Sequence, residues 1–333
     1  MILSIVIPVY GVEKYISDCI NSFIDNIDDI SNNVEVILID DGCKDRSIEV
    51  ARRLIKELPC FKIISQQNQG LSVARNNGLH VSTGDYVWFV DSDDMIAPEI
   101  VSQILAIIER FPGIDMFEFE YKSVKEDSSY SCVEKQTYSY DSISVLSGKD
   151  RLLSGFYSPV PFHLFRREFL MSNNLQMYSG IYHEDGEFTP RALWLAENVA
   201  VLPWVAYYYR QREGSIMHSV NSQKGVDNIF VAHRLKVFFD NKGVGAPERR
   251  IIDDFISMAY CNGLHSAIGA TGEDRERIEK AAFEHRAVLQ SLREASKKKY
   301  RVLGTIASLF SKHIVSIYLI MMRFNKKTKS LQL

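Results

Sequence analysis

The sequence has few cysteines, and their placement excludes two kinds of site. Only 5 cysteines occur in 333 residues. No two of them stand in a CxxC spacing, which argues against a disulfide framework and against a structural zinc site. The formal net charge is only -3. A positive field that would hold nucleic acid by its phosphates is therefore absent, and no nucleic-acid partner is expected.

Two phosphate-binding sequence patterns are also absent. Neither GxxxxGK[ST] nor GxGxxG occurs, which excludes the P-loop and the standard dinucleotide-binding fingerprint. The apolar residues 1–10 have neither a basic n-region nor a small-residue cleavage site, so they predict a strand and not a signal peptide. Together with the scattered cysteines, this start predicts a protein of the reducing cytoplasm.

Short apolar runs alternate with helical patterns through the first third of the chain. The composition, with 46% apolar and 24% charged residues, is that of a globular protein with a buried core. The predicted strands are 2–9, 34–39, 61–65 and 86–90, and the predicted helices are 12–26, 46–58 and 71–81. This alternation predicts an α/β fold with a mostly parallel sheet covered by helices on both faces.

Carboxylates and a tyrosine follow three of these strands. They are Tyr10 with Glu13, Asp40 with Asp41, and Asp91 with Asp93. Ligands of open α/β sheets bind beyond the carboxyl ends of the strands, so these side chains are expected at one rim. Two carboxylates spaced i, i+2, as in Asp91 and Asp93, can hold a hard divalent cation and leave positions open for diphosphate oxygens. The alternative is a solvated turn that caps the helix beginning near Pro98.

Four motifs resemble the family 2 glycosyltransferases in order and spacing. They are Pro8-Val9-Tyr10, Asp40-Asp41-Gly42 with Asp45, the segment Gly70 to Gly78, and Asp91-Ser92-Asp93-Asp94. The resemblance covers the first half of the chain. It implies a GT-A fold, a nucleotide-diphosphate sugar donor that is usually a UDP-sugar, a Mn2+ or Mg2+ ion, and inversion at the anomeric carbon. Cys43 departs from the family, which commonly has Ser at this position.

The resemblance also assigns residues to the donor. The implied nucleotide-sugar-binding residues are Pro8, Tyr10, Glu13, Asp40, Asp41, Arg75, Asp91 and Ser92, and the implied metal ligand is Asp93. One carboxylate of the Asp40–Asp41 pair would accept the imide N–H of uracil. Arg75 would lie near the diphosphate, to which a guanidinium is suited. An ion pair between Arg75 and an aspartate of the rim is the alternative.

A second cluster, His183-Glu184-Asp185-Gly186-Glu187, resembles the family segment that begins a helix. The zinc-protease signature needs a second His at position 187, which is Glu, so that site is excluded. The resemblance makes Asp185 the catalytic base, which would take the proton of an acceptor hydroxyl as the new bond forms. The alternative is that Glu184 and Asp185 only favour a helix N-terminus.

The segment from Tyr207 to His218 also resembles the family. Arg210, Arg212 or His218 could close over the diphosphate, or His218 could complete the metal sphere as a second protein ligand. The three tyrosines 207–209 are explained equally by an acceptor platform and by a half-buried strand. The Gln-x-x-Arg-Trp pattern of processive members is absent, which favours one addition per encounter.

The end of the chain is helical and basic. Helices are predicted over 228–240, 249–268 and 273–296. A basic run, 297–299, then precedes an apolar stretch, 302–322, that has Lys312 at its centre, and a central Lys costs about 2.5 to 3.5 kcal/mol on insertion scales. Apolar residues recur at intervals of three and four, as in Leu303, Ile306 and Phe310, which predicts an amphipathic helix lying in an anionic membrane surface. A helix packed on the protein's own core is the alternative.

The sequence therefore predicts a GT-A domain over 1–220, with a nucleotide-binding half 1–121 and an acceptor and catalytic half 122–220. A helical region 221–299 and a basic membrane-associating tail 300–333 follow. The expected activity is inverting, metal-dependent transfer of a single sugar to a saccharide or lipid-linked saccharide in surface polysaccharide synthesis, on the cytoplasmic face of the cell membrane. The alternative is a catalytically silent scaffold subunit that binds a sugar nucleotide.

Two other enzyme classes fit the sequence less well. A nucleotidyltransferase needs a first loop rich in Gly with a Lys or Arg, and Pro8-Val9-Tyr10-Gly11 supplies no such cation. A glycoside hydrolase also uses paired carboxylates, but it does not need a nucleotide-like rim.

Overall fold

The structure is a computed structural model that describes residues 1–26, 33–154, 159–212 and 221–330, with side chains up to 323. The strands in these ranges are β1 (Leu3–Val9), β2 (Val34–Asp40), β3 (Phe61–Ser65), β4 (Tyr86–Phe89), β5 (Met95–Ile96), β6 (Met116–Lys125), β7 (Ser144–Leu146), β8 (His163–Arg166) and β9 (Val199–Gln211). The helices up to β9 are α1 (Ile16–Ile24), α2 (Ser47–Leu54), α3 (Leu71–Val81), α4 (Ile100–Arg110), α5 (Gly148–Leu153), α6 (Arg167–Ser172) and α7 (Glu184–Leu195). The helices after β9 are α8 (Ser222–Asp240), α9 (Ala246–His265), α10 (Gly272–Glu284), α11 (Leu289–Glu294), α12 (Lys298–Leu309) and α13 (Ile314–Ser330).

Contacts divide the chain into two compact units. The first comprises Met1–Gly180 with Ala192–His218, and the second comprises Ile181–Arg191 with Ser219–Leu333. The second unit thus takes in a short segment before β9 as well as the helical region. The predicted tail 300–333 belongs to the same unit as the predicted helical region 221–299.

The first unit contains the sheet, whose strand order is β3-β2-β1-β4-β8-β6-β9-β5, with β7 beside β9. The pairings among β1, β2, β3 and β4 are all parallel, which confirms the predicted β/α alternation in this half. Beyond β4 the sheet is mixed, because β8 runs antiparallel to both β4 and β6. Every residue of β1 is buried, as expected for the central strand of a covered sheet.

Close packing of α3 on β1 explains one glycine of the Gly70 to Gly78 motif. A Cβ at Gly78 would lie 2.1 Å from Cγ1 of Val6, which is far inside van der Waals contact. Only glycine therefore allows the helix to lie this near the strand. Gly70, with φ of +88°, begins the helix in a backbone conformation that L side chains rarely adopt.

The second unit is built from helices that cross closely. Gly263 of α9 faces Gly225 of α8, and a Cβ at Gly263 would lie 2.6 Å from the Gly225 carbonyl oxygen. Buried apolar residues of later helices complete this core, including Ile278, Leu292, Leu303 and Ile314. Part of the predicted membrane tail is therefore core of the second unit.

The predicted tail helix is not continuous. It breaks between α12 and α13, whereas the periodicity predicted one helix. Among the described residues no single helix is long and apolar enough to cross a membrane. The helices Lys298–Leu309 and Ser311–Arg323 reach that length and apolar content only when they are taken together, and they are bent by 119°. The predicted helix 273–296 is likewise two helices, α10 and α11.

Candidate active site

The predicted rim residues of the first unit meet at the carboxyl edge of the sheet. Val9 at the end of β1 pairs with Asp40 of β2, and Val6 pairs with Phe89 at the end of β4. The Asp40–Asp41 pair and the Asp91 to Asp94 segment thus follow strands on either side of β1. Tyr10, which is 48% exposed, follows β1 itself between them.

The two carboxylates of the Asp40–Asp41 pair have different surroundings. Asp41 is buried, and its oxygens accept hydrogen bonds from Gln66 Nε2 and from the backbone N–H groups of Gln69 and Gly70. It therefore fixes the segment that leads into α3. Asp40 is more exposed and accepts from Ser65 Oγ at 3.0 Å and from the Cys43 N–H at 3.0 Å.

Cys43, the departure from the family pattern, packs into this loop. Its thiol donates to the Val9 carbonyl oxygen at 3.2 Å. Burial raises the pKa of the thiol to about 12. Cys43 thus serves as a neutral donor in the loop, a role that a Ser hydroxyl can also fill.

The Asp91-Ser92-Asp93 motif is held by two arginines. Arg75 of α3, which is buried, places Nη2 2.5 Å from Asp91 Oδ1. This is the ion pair that the sequence left as the alternative for Arg75. Arg212 places Nε 2.6 Å from Asp93 Oδ2. Ser92, which separates the two aspartates in sequence, is buried.

A third aspartate, Asp94, is the centre of a buried network that the sequence did not predict. Tyr207 Oη donates to Asp94 Oδ2 at 2.6 Å and accepts from the Asp91 N–H at 3.1 Å. The Arg210 N–H donates to Asp94 Oδ1 at 2.7 Å. Asp94 thus ties the loop after β4 to strand β9. Tyr207 is fully buried, so it is a strand residue and not part of an acceptor platform.

Arg210 is a structural residue of the same network. It is 2% exposed, and its guanidinium donates to the Asp93 carbonyl oxygen and to the Glu126 carbonyl oxygen at 2.9 and 2.8 Å. It also forms an ion pair with Asp18 of α1. These contacts correct the prediction that Arg210 could close over the diphosphate, because the side chain is already bonded on several sides. Arg212 lies at the surface of this cluster, so its side chain is still able to close over the diphosphate.

Electrostatics make the cluster favourable for a cation. Burial raises the pKa of Asp93, and the nearby charge of Asp91 raises it further, with Arg212 opposing. Burial and the charges of Asp93 and Asp91 raise the pKa of Asp94 well above its ordinary value. A bound cation stabilises the ionised form of a carboxylate whose pKa is raised in this way.

Three further residues, Pro8, Glu13 and Tyr10, are predicted to bind the nucleotide-sugar donor. Pro8 is buried within β1 and pairs with Ile39, so it shapes the floor of the rim through its backbone. Glu13 accepts from the N–H and Nε of Arg46 at 3.1 and 2.8 Å, and those hydrogen bonds lower the pKa of its carboxyl. Tyr10 is the predicted base-binding residue with the most exposed ring.

Asp185 lies in the second unit, in the first turn of α7. Its Oδ1 accepts from the Gly186 N–H at 2.7 Å. His183, with φ of +63°, precedes it, and burial lowers the pKa of the His183 imidazole. Glu187, one turn on, is fully buried and binds Arg191 Nη2 at 2.6 Å and Arg234 Nε at 2.9 Å. The helix that carries Asp185 is thereby fixed to α8.

The second predicted metal ligand, His218, lies outside the described residues. Within the described residues no group of three or more His, Cys, Asp or Glu side chains could hold a metal ion. The pair Asp91 and Asp93 nevertheless has the oxygen chemistry that a hard cation prefers. Mg2+ in particular is usually held by one or two carboxylates with substrate phosphates and waters.

Comparison with known proteins gives a consistent result. Residues 4–170 match the family model of glycosyl transferase family 2. The chain is 28% identical over 219 residues to the uncharacterized glycosyltransferase YibD of Escherichia coli, an alignment that covers 64% of this chain and 62% of YibD. It is 30% identical over 227 residues to the glycosyltransferase GlyA of Streptococcus pneumoniae, which covers 64% of this chain and 31% of GlyA. The chain thus spans less than two thirds of both relatives.

A solved structure shares the fold. Staphylococcus aureus TarS 1–349 in complex with UDP-GlcNAc superimposes with a TM-score of 0.78 at 21% identity, over 98% of this chain and 92% of that one. The match confirms the predicted GT-A architecture with its helical C-terminal region.

Proposed function

Because the chain belongs to glycosyl transferase family 2, we propose that it transfers one sugar from a UDP-sugar to a saccharide or lipid-linked saccharide acceptor, with inversion, in surface polysaccharide synthesis. The observation that carries this proposal is the cluster after β4, where Asp91 and Asp93 face Arg75 and Arg212 at 2.5 and 2.6 Å. Paired carboxylates and guanidinium groups at one rim suit a metal ion and a diphosphate together.

Different rim residues bind different parts of the nucleotide-sugar donor. The exposed ring of Tyr10 supplies a flat surface for the base, and the Asp40–Asp41 pair supplies the acceptor for its imide N–H. We assign Asp91, which Arg75 orients, to the ribose. Arg212 is a cation whose guanidinium can leave Asp93 and pair with the diphosphate.

Asp93, with Asp91 beside it, is the residue that would hold Mn2+ or Mg2+. When bound, such an ion stabilises the negative charge that develops on the departing nucleotide diphosphate. The protein's contribution is to keep both carboxylates in place. Arg75 fixes Asp91, and the Asp94–Tyr207 bond fixes the loop that carries Asp93.

Asp185 is the proposed catalytic base. Its carboxylate takes the proton of the acceptor hydroxyl while that oxygen forms the bond to the anomeric carbon, and the bond from that carbon to the diphosphate oxygen breaks. A single displacement of this kind inverts the anomeric configuration. The contacts of Glu187 with Arg191 and Arg234 hold α7 rigid, so that Asp185 is presented in one orientation.

Donor recognition is tested by calorimetry with UDP, GDP and dTDP in the presence of Mn2+. We expect UDP to bind more tightly than the other two, and Asp40→Asn to weaken UDP by about tenfold, because a neutral amide oxygen is a weaker acceptor for the imide N–H than a carboxylate. Asp25→Asn, a surface aspartate at the end of α1, is the matched control. Equal affinities for the three nucleotides would contradict a uracil-specific rim.

We further propose that the protein acts in the cytoplasm, on the inner face of the cell membrane, through the α12–α13 region. In this region Tyr300, Leu303, Ala307 and Ile314 are buried in the second unit, while Leu309 and Phe310 are 74% and 58% exposed. Basic side chains stand on both sides of these two residues, from Lys297 to Arg301 and at Lys312. Exposed apolar side chains with basic neighbours suit an anionic lipid surface.

The membrane contact is tested by replacing only the exposed residues. Leu309→Asp with Phe310→Asp is expected to weaken binding to phosphatidylglycerol vesicles at least about tenfold, because each buried side chain contributes on the order of 1.5 to 3 kcal/mol. Deleting the whole tail would instead remove core residues of the second unit. Met171→Asp, at an exposed apolar residue of the first unit, is the control, and vesicle sedimentation is the readout. If the double variant sedimented with vesicles as the unaltered protein does, the proposed membrane contact would be wrong.

A further inference from the structure

The second unit has a cationic cavity that the transfer reaction does not use. Its volume is about 430 Å³, within the range of small-molecule sites. Residues of α8, of the segment from Arg286 to α11, and of the break between α12 and α13 line it. Its polar lining residues include His233, Lys236, Asp240, Arg286, Arg293 and Ser311.

The positive charge of this cavity is only partly neutralised. Asp240, which also lines the cavity, forms ion pairs with Lys236 Nζ and Arg249 Nη1, both at 2.7 Å. Arg286 donates to the Phe283 carbonyl oxygen at 3.0 Å. Within the described residues neither Arg286 nor Arg293 forms an ion pair with a carboxylate. Two guanidinium groups thus remain for an anion.

Two neutral polar residues complete the lining. They are His233 and Ser311. The Nδ1 atom of His233 is buried from solvent, so the donors that remain for an anion are the arginines and Ser311. Guanidinium and hydroxyl groups are donors that bind phosphate oxygens.

The position of the cavity indicates which class of molecule would carry the bound phosphate. Ser308 and Ser311 both line it, and between them in sequence stand Leu309 and Phe310, the exposed apolar pair of the proposed membrane contact. An amphipathic helix buries such residues at the boundary between headgroups and acyl chains. The cavity would then lie at headgroup depth.

We infer that this cavity binds the phosphate headgroup of a membrane lipid, an inference that rests on the proposed membrane contact. Arg286 and Arg293 would hold the phosphate oxygens while Leu309 and Phe310 enter the acyl region. The lipid class is therefore one with an accessible phosphate monoester or diphosphate.

The test compares two kinds of vesicle matched in surface charge, one containing phosphatidic acid and one containing oleate. The full-length protein is expected to bind the phosphate vesicles more tightly. Arg286→Ala with Arg293→Ala is expected to weaken that binding by about tenfold per arginine beyond the loss that the same variant shows on oleate vesicles, where only positive charge is lost. Arg250→Ala, at an exposed arginine of α9 outside the cavity, is the matched control, and Arg293→Glu alone is the second variant if the double variant does not fold.

Each outcome separates the two proposals. Equal loss on both kinds of vesicle, or the same loss with Arg250→Ala, would mean that only general charge attracts the membrane, and the headgroup site would be wrong while the membrane contact stands. The protein could instead bind soluble glycerol phosphate through Arg286 and Arg293 and not bind vesicles. That result would show that the cavity holds a soluble anion, and it would contradict a lipid headgroup as the ligand. Vesicle binding that is unaffected by the arginine changes would overturn the site.

Discussion

Asp93→Asn is expected to lower the rate of sugar transfer by about three orders of magnitude, because the charge stabilisation that a bound metal supplies amounts to several kcal/mol. The side chain keeps its size but loses the negative charge that holds the cation. The measurement is the steady-state rate of nucleotide diphosphate release with saturating acceptor and Mn2+. We also expect the apparent metal affinity of the unaltered protein to fall as the pH is lowered, because the raised pKa of Asp93 makes protons compete with the ion.

The control for this prediction lies at the other end of the strand that Asp93 follows. Asp85 is exposed and stands just before β4, at the opposite end from Asp93. Asp85→Asn makes the same chemical change away from the rim and is expected to leave the rate within about twofold, as surface substitutions usually change little. Equal rates for Asp93→Asn and the unaltered protein would show that Asp93 is not a metal ligand.

Asp185→Asn is expected to lower the rate of transfer by about 100- to 10,000-fold, the usual contribution of a general base. Donor binding should be unchanged, because the base acts on the acceptor. Calorimetry with UDP and the rate of transfer, measured on the same preparation, separate the two effects. A variant that bound donor normally and transferred sugar slowly would support the assignment.

A neighbouring carboxylate distinguishes the base from a helix-terminal residue. Glu184 stands with Asp185 in the first turn of α7, where either charge would favour the helix N-terminus to the same extent. Glu184→Gln is therefore expected to keep most of the activity. If both variants lost activity equally, the cluster would act through helix stability, and Asp185 would not be the base.

Local sequence patterns predicted the first four strands and the helices between them closely. The predicted helix 71–81 has the observed bounds of α3, and the predicted strand 61–65 has those of β3. Both elements are short and periodic, and turn residues bound them, so local propensity and tertiary packing agree. The tail was predicted less well, because the apolar periodicity continues through Phe310 although the chain bends there.

The buried network around Asp94 could not be predicted from local patterns. Tyr207 and Arg210 contact Asp94 across 113 and 116 residues, and nothing in the spacing indicates such a pair. The run of tyrosines 207–209 signalled only a strand or a platform. The sequence leaves an ion pair between Arg75 and an aspartate of the rim as an alternative, and the structure identifies that aspartate as Asp91.

The most direct test of the central claim is the release of nucleotide diphosphate from UDP-, GDP- and dTDP-sugars with Mn2+ or Mg2+. The account predicts that one UDP-sugar is consumed, slowly without acceptor and faster with a saccharide or lipid-linked saccharide. It also predicts that a chelator or Asp93→Asn abolishes the reaction. Undiminished turnover in chelator, or donor binding without any turnover when acceptor is supplied, would contradict a metal-dependent transferase.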